Sequence, residues 1–232
     1  MAESTSISAI IVAAGIGRRM GTPSPKQFLI LAGKPLLAYS IESILKIDDL
    51  RELIVVVAAD QIKTPELKAC LLPSTIPIKI VEGGKRRQDS VFDGLQALDP
   101  LTQIVIVHDG VRPFFQAELV RQAIGLCTNY DGAILASPAV DTMKEVSANR
   151  ILKTLDRYKI WHGQTPQVFQ RSVLEKAYAN ARTKDITATD DSMLVELIGG
   201  RVAVVESSAE NLKITCQNDL KIAKSILENR KL

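Results

Sequence analysis

Short runs of consecutive apolar residues recur along the chain, at Ile7 to Ala13, Leu53 to Ala58, Ile78 to Val81, Ile104 to Val107, Ala133 to Ala136 and Val202 to Val205. Unbroken rather than alternating hydrophobicity marks strands covered on both faces, as in a parallel sheet held between two layers of helices. Segments of helical period lie between them: Leu36 to Lys46, which follows Pro35, then Ser90 to Leu98, Glu118 to Cys127 and Leu220 to Asn229. The alternation predicts an open, doubly wound, mostly parallel α/β sheet flanked by helices. One stretch departs from it. From Val140 to Trp161, two extended segments flank the polar Ser147-Ala148-Asn149-Arg150, the pattern of a hairpin outside the main sheet. Such a hairpin has little of its own to pack on, so a second subunit is expected to cover it.

With 232 residues and 46% hydrophobic content the chain can bury one sizeable core, and no repeat or low-complexity linker divides it. The expectation is a single domain over residues 1–232, with the hairpin as an arm at about 139–160. A net charge of +3 lacks the basic excess that binding a nucleic-acid backbone requires, so nucleic acid is not expected as a partner. Cys70, Cys127 and Cys216 are far apart and odd in number, which supports neither a disulfide framework nor a zinc site and suggests half-buried, reduced thiols. No stretch approaches the roughly 20 apolar residues that span a bilayer, and the segment before Ile7 is too short for a signal peptide. A soluble, cytoplasmic protein without membrane partners is expected.

In open α/β sheets the ligand crevice lies beyond the carboxyl ends of the strands, here just after Ala13, Val81, Val107 and Ser137. The first strand runs into Ala13-Ala14-Gly15-Ile16-Gly17-Arg18-Arg19-Met20-Gly21, followed by Pro25-Lys26-Gln27. Glycines there let main-chain N–H groups approach an anion, and the Arg and Lys side chains add charge-assisted hydrogen bonds, so the segment reads as a polyphosphate cradle. It lacks the Gly-Lys-Ser/Thr ending of a P-loop, and Gly21 is misplaced for a dinucleotide fingerprint. After the third strand, Gly83-Gly84 frees backbone groups to read a base edge and Ser90 can add a hydroxyl, although Ser90 is equally explained as a residue opening a helix. In His108-Asp109-Gly110-Val111-Arg112-Pro113, a carboxylate at a strand end facing the phosphate loop is suited to hold Mg²⁺. His108, with no second ligand at metal spacing, is expected to be structural. Asp190-Asp191 after Thr189 is expected to serve a helix dipole behind a Thr cap, and Trp161 to pack rather than stack on a base.

Taken together, these segments in this order resemble the 2-C-methyl-D-erythritol 4-phosphate cytidylyltransferase family, from Ala13 to Asn211-Leu212-Lys213-Ile214-Thr215. The resemblance implies a nucleotidyltransferase fold of Rossmann-like type, with a protruding β-arm through which a homodimer forms. It implies CTP and a small sugar-alcohol phosphate as substrates and Mg²⁺ as cofactor. Carried over by motif position, Arg19 and Lys26 would bind and polarise the triphosphate, with Lys213 beside Lys26 at the α-phosphate. Ala13, Ala14, Gly15, Gly17, Gly84 and Ser90 would hold the nucleotide, and Asp109 the nucleotide and its metal. Arg112, Thr142, Arg157, Thr165 and Thr189 would hold the methylerythritol phosphate, Thr142 and Arg157 from the arm and so in the partner's site. Lys85 stands where some members carry Asp, and Gly110-Val111 replaces an Ala-Ala pair.

The acceptor implied by the resemblance is a phosphate, largely dianionic at neutral pH because its second pKa is about 6, so no general base is needed. Three readings compete with this one. A ribitol 5-phosphate cytidylyltransferase shares the glycine loop and the His-Asp-x-x-Arg-Pro segment; Asp141-Thr142-Met143-Lys144 and Thr189-Asp190-Asp191 favour the methylerythritol enzyme. A dinucleotide oxidoreductase could use Asp60 on a ribose, but its glycine spacing is wrong. A non-catalytic nucleotide-binding protein would not need Lys26, Asp109 and Lys213 together.

Overall fold

The apolar runs become the strands of one seven-stranded sheet, and the computed structural model of the chain describes residues 5–15, 17, 20, 21 and 24–230 of it. In chain order the strands are β1 (Ile7–Val12), β2 (Ile30–Leu31), β3 (Lys34–Pro35), β4 (Leu50–Val57), β5 (Ile78–Glu82), β6 (Ile104–Asp109), β7 (Gly132–Pro138), β8 (Lys144–Ser147), β9 (Arg150–Thr154), β10 (Trp161–Gln170) and β11 (Val202–Glu206). The helices are α1 (Leu36–Ile44), α2 (Pro65–Cys70), α3 (Arg87–Gln96), α4 (Ala117–Leu126), α5 (Arg171–Thr183), α6 (Asp191–Glu196) and α7 (Gln217–Asn229). The main sheet has the order β11-β7-β10-β6-β1-β4-β5. Its pairs are parallel except those of β10, which runs antiparallel to both β6 and β7.

Alternation along each central strand divides the core into two layers. Ala9 and Ile11 of β1 and Ile104 and Ile106 of β6 share one layer with Leu37, Ile41 and Ile44 of α1 and Val120 of α4. Ile10, Val105 and Val107 face the other, with Val91 and Leu95 of α3, Leu174 and Tyr178 of α5 and Leu194 of α6. Both faces are therefore covered, as the unbroken hydrophobic runs require. A smaller cluster joins Met20, Leu31, Leu36 and Phe114 to Ile214 and to Ala223 of α7, which ties the C-terminal helix to the end of the sheet that carries the glycine loop.

The strand order reverses between β1 and β6, so their carboxyl ends diverge and open a crevice. Four of the larger elements, β10, α2, α5 and α6, escape the hydrophobic pattern. Strand β10 reads Trp-His-Gly-Gln-Thr-Pro-Gln-Val-Phe-Gln, too polar and too interrupted by Pro166 to register as a buried strand, yet residues 164–169 are buried. Its register with β7 shifts between Gly163 and Gln167, where the Thr165-Pro166 bond is cis. Helices α2, α5 and α6 were likewise not among the predicted segments.

The hairpin forms as expected. Strands β8 and β9 pair antiparallel around Ala148-Asn149, whose positive φ values of 46° and 61° are those of a type I′ turn. Every residue of both strands is exposed, including Val146, Ile151 and Leu152. Trp161, expected to pack, is 39% exposed at the start of β10. Cys70 and Cys127 are buried and Cys216 is half-buried, all as free thiols. Among the described residues no helix is long and apolar enough to cross a membrane.

Candidate active site

A cavity of about 200 Å³ opens at the carboxyl ends of β1, β5 and β6, lined by Ala13, Ala14, Gly15, Lys26, Gly84, Ser90, Asp109 and Lys213 among others. Strand β1 delivers the glycine loop to it. Gly17 has φ +63°, and a side chain there would meet the Lys26 stem at about 3.0 Å, so the loop closes over Lys26 only with glycine at this position. Arg19 lies outside the described residues.

The turn from β5 into α3 forms the facing wall. A Cβ on Gly83 would come within 2.7 Å of both Ala14 Cβ and Ser90 Oγ, so the missing side chain lets this turn rest on the glycine loop. Ser90 lies one turn into α3 rather than at its cap, with its hydroxyl donating to the Arg86 carbonyl at 3.2 Å. Lys85 lines the same wall, as do Arg86 and Arg87.

Asp109, the last residue of β6, pairs in register with Val12 and is 5% exposed. Arg87 Nε donates to its Oδ1 at 2.8 Å, Lys213 Nζ stands 2.7 Å from Oδ2, and Arg112 Nε lies 3.6 Å from Oδ2. Burial alone would raise the Asp109 pKa, but the charges of Arg87, Lys213 and Arg112 outweigh it and hold the carboxylate ionised well below the usual range. Arg87 also donates from Nη1 to Asp191 at 2.8 Å, and Asp191 accepts from the buried Tyr178 hydroxyl. Burial opposes the charge on Arg87; Asp191 and Asp109 overcome that penalty and keep it protonated.

Behind Asp109 runs a chain of neutral hydrogen bonds. His108 Nε2 faces the Arg112 carbonyl at 3.1 Å, so it carries the proton, and Nδ1 accepts from the Thr165 hydroxyl at 3.1 Å. That hydroxyl in turn accepts from the Asp109 N–H at 3.0 Å. Complete burial pushes the His108 pKa down to about 3, so the ring is neutral and structural, as its sequence context suggested.

A second cavity of about 190 Å³ lies on the other side of this ion-pair cluster, lined by Arg112, Gly163, Gln164, Thr165, Gln167, Thr189 and Asp190. Arg87, Asp109 and Lys213 line both cavities. Lys213 is placed by its neighbours: buried Asn211 donates to Gln164 Oε1 and the Thr165 carbonyl, and the Ile214 N–H donates to the Val111 carbonyl.

The structure thus brings Ala13, Ala14, Gly15, Lys26, Gly84, Ser90, Asp109 and Lys213 to one cavity and Arg112, Thr165 and Thr189 to its neighbour. Thr142 and Arg157 line neither: both are exposed at the base of the arm, where Arg157 donates to the Val140 carbonyl. Asp60 is exposed after β4 and lines neither cavity. The stretch after Ser137 leads into the arm; its expected place at the crevice is taken by the N-terminal half of β10. The acidic pair also differs from expectation. Asp190, not Thr189, caps α6 by accepting from the Met193 N–H, while Asp191 is buried against Arg87 and Tyr178 and is not explained by the helix dipole. Arg87 and Asp191 are the residues that sequence reasoning missed. The available signal was a basic residue at the first position of α3, in the basic run that follows the Gly83-Gly84 turn.

A family model described as IspD, 2-C-methyl-D-erythritol 4-phosphate cytidylyltransferase, matches residues 7–229. The 2-C-methyl-D-erythritol 4-phosphate cytidylyltransferase of Alkaliphilus metalliredigens is 37% identical over 100% of this chain and 97% of its own. That of Aquifex aeolicus is 41% identical over 95% and 97%. Among solved structures, the 4-diphosphocytidyl-2C-methyl-D-erythritol synthase of Anaerococcus prevotii superposes with a TM-score of 0.86 at 31% identity, covering 97% of this chain and 99% of that one. The cytidylyltransferase of Thermus thermophilus gives 0.79 at 30% identity, covering 97% and 100%.

Proposed function

This chain belongs to the 2-C-methyl-D-erythritol 4-phosphate cytidylyltransferase family, and from that premise we propose that it joins the phosphate of 2-C-methyl-D-erythritol 4-phosphate to the CMP part of CTP, releasing pyrophosphate. The observation that carries the reading is the pair of cavities divided by Arg87, Asp109 and Lys213. Two anions that must meet in line need neighbouring pockets and shared cations between them. An acceptor phosphate oxygen attacks the α-phosphorus; the bond from that phosphorus to the bridging oxygen breaks, and the electron pair leaves with pyrophosphate. The dianionic acceptor needs no base, consistent with a site whose only buried imidazole is engaged at both nitrogens. Lys26 and Lys213 offset charge on the transferring group, and Arg19 holds the departing end. Gly84, Ser90 and the main chain of residues 13–15 hold the nucleotide, and Arg112, Thr165 and Thr189 the acceptor.

The donor set present suits Mg²⁺, with Asp109 as the residue that would hold it. Among the described residues no group of three acidic, His or Cys side chains forms a cage, and Mg²⁺ commonly takes one or two carboxylates together with substrate phosphates and water. Asp109 would hold it once Lys213 turns from the carboxylate to the phosphates, and the ion's charge would then add to that of the lysines.

The arm makes the enzyme a homodimer in this reading. Val146 and Ile151 sit opposite each other in the hairpin, an apolar pair that the described residues leave 56% and 59% exposed. Ile151→Asp is expected to shift the protein to monomer in sedimentation velocity. It should also lower turnover, because Thr142 and Arg157 then no longer reach a partner's site.

The test of the reaction is pyrophosphate release from CTP with Mg²⁺, comparing 2-C-methyl-D-erythritol 4-phosphate with ribitol 5-phosphate. Release with the first alone is the expected result. Release with ribitol 5-phosphate alone would keep the chemistry and replace the substrate, and no release with either would overturn the assignment.

A further inference from the structure

Three consecutive residues at the start of α3 hold the segment that leads to Thr189. Arg86 Nη1 donates to Thr187 Oγ1 at 3.0 Å, and Arg87 reaches Asp191 as described. Gln88, the next residue, uses both ends of its amide: Nε2 donates to the Ile186 carbonyl and Oε1 accepts from the Ala188 N–H, each at 3.1 Å. Gln88 is 8% exposed, whereas Arg86 lies at the surface and also pairs with Asp89 of its own helix. A primary amide matched to a backbone carbonyl and N–H two residues apart reproduces a rung of strand pairing and fixes both the depth and the twist of the chain it holds. From the other side Gln167 grips the same segment, donating to Asp190 Oδ2 at 2.8 Å and accepting from the Ser192 N–H at 3.2 Å. The chain from 186 to 192 is therefore suspended between two glutamines. Thr189 and Asp190 are the part of it that faces the second cavity.

From these contacts we infer that Gln88 is a positioning residue for the second substrate, setting Thr189 and Asp190 at the wall of the acceptor cavity without touching the acceptor. The inference rests on the proposed function, which gives that cavity to the sugar-alcohol phosphate. Gln88 lines neither substrate cavity, so its influence runs through the 186–190 backbone alone. The neighbouring residues of α3 serve the nucleotide side: Ser90 lines the first cavity and Arg87 stands between the two. One helical turn thereby sets both walls, and the acceptor's wall is the one that depends on Gln88.

Gln88→Met keeps the length of the side chain and removes both hydrogen bonds. The expected result is a rise of about tenfold in KM for 2-C-methyl-D-erythritol 4-phosphate, with KM for CTP and kcat within about twofold of wild type, the scale of losing two neutral hydrogen bonds. Gln88→Glu, which keeps the acceptor for Ala188 N–H, should show the same split between the two KM values should the methionine variant fold poorly. Amide hydrogen exchange at Ala188 is expected to quicken in the methionine variant, which removes its acceptor, and to stay slow in the glutamate variant, which keeps it. A purely structural glutamine would instead lower thermal stability and leave both KM values where they were; that outcome, or a KM for CTP that rises in step, would overturn the inference. An inert wild type would overturn the assignment of the cavity itself, and the two failures are thus told apart by the wild-type control.

Discussion

Asp109→Asn should lower kcat by about 10³-fold or more, because the residue is both the one carboxylate among the described residues that the two cavities share and the proposed ligand of the metal. The substitution preserves shape and changes polarity. The amide NH₂ would face either Arg87 Nε at the Oδ1 position or Lys213 Nζ and Arg112 Nε at the Oδ2 position, all within 3.6 Å of the carboxylate and all donors. Lys213 can swing into solvent, since its side chain is 35% exposed; Arg112, at 12%, cannot. Removing one partner of a buried pair commonly costs about 3–5 kcal/mol, and relaxation of Lys213 places this case near the lower end. Urea unfolding at neutral pH should therefore show a clear loss of stability alongside the loss of turnover. The two are separated by measuring kcat per folded molecule. A folded Asn variant turning over within tenfold of wild type would make Asp109 a structural hub for its arginines and remove it from the chemistry.

Lys213→Ala is expected to cut kcat by about 10²- to 10³-fold, the scale of losing one preorganised donor at a developing charge. Unlike Asp109, it should cost little stability, less than about 1 kcal/mol, because Lys213 is partly exposed and solvent screens its ion pair. Asp109 would still be paired with Arg87 and Arg112, so no buried charge is stranded. Lys213→Arg should not restore the rate: a planar fork cannot occupy the position of a compact ammonium that must turn from the carboxylate toward a phosphate. Pre-steady-state quench measurements with saturating CTP place the effect. A slow chemical step with unchanged nucleotide affinity is the expected pattern, and a loss confined to nucleotide affinity would move Lys213 from the reaction to binding.

The sequence by itself determined the parts of this protein that are written locally. Unbroken runs such as Val105-Ile106-Val107 could only be strands covered on both faces, and the two core layers are the direct consequence. The glycine loop, the Gly83-Gly84 turn and Asp109 were each legible because strand ends put ligands at one edge of such a sheet, whereas Lys213 came only through the family resemblance. The hairpin was legible too, since the polar Ser147-Ala148-Asn149-Arg150 between two short extended segments reads as a turn. Tertiary structure alone decided the rest. Strand β10 is polar and holds a proline, yet residues 164–169 are buried because β6 and β7 flank them and Gln164 takes hydrogen bonds from Gln167 and Asn211 in the interior. Arg87 and Asp191 stand 104 positions apart, and neither residue type predicts the other at that distance. The physical reason is the same in each case. Hydrophobic period and turn chemistry act between neighbours in the chain, whereas the partner of a buried charge or amide is chosen by where the fold brings the chain back.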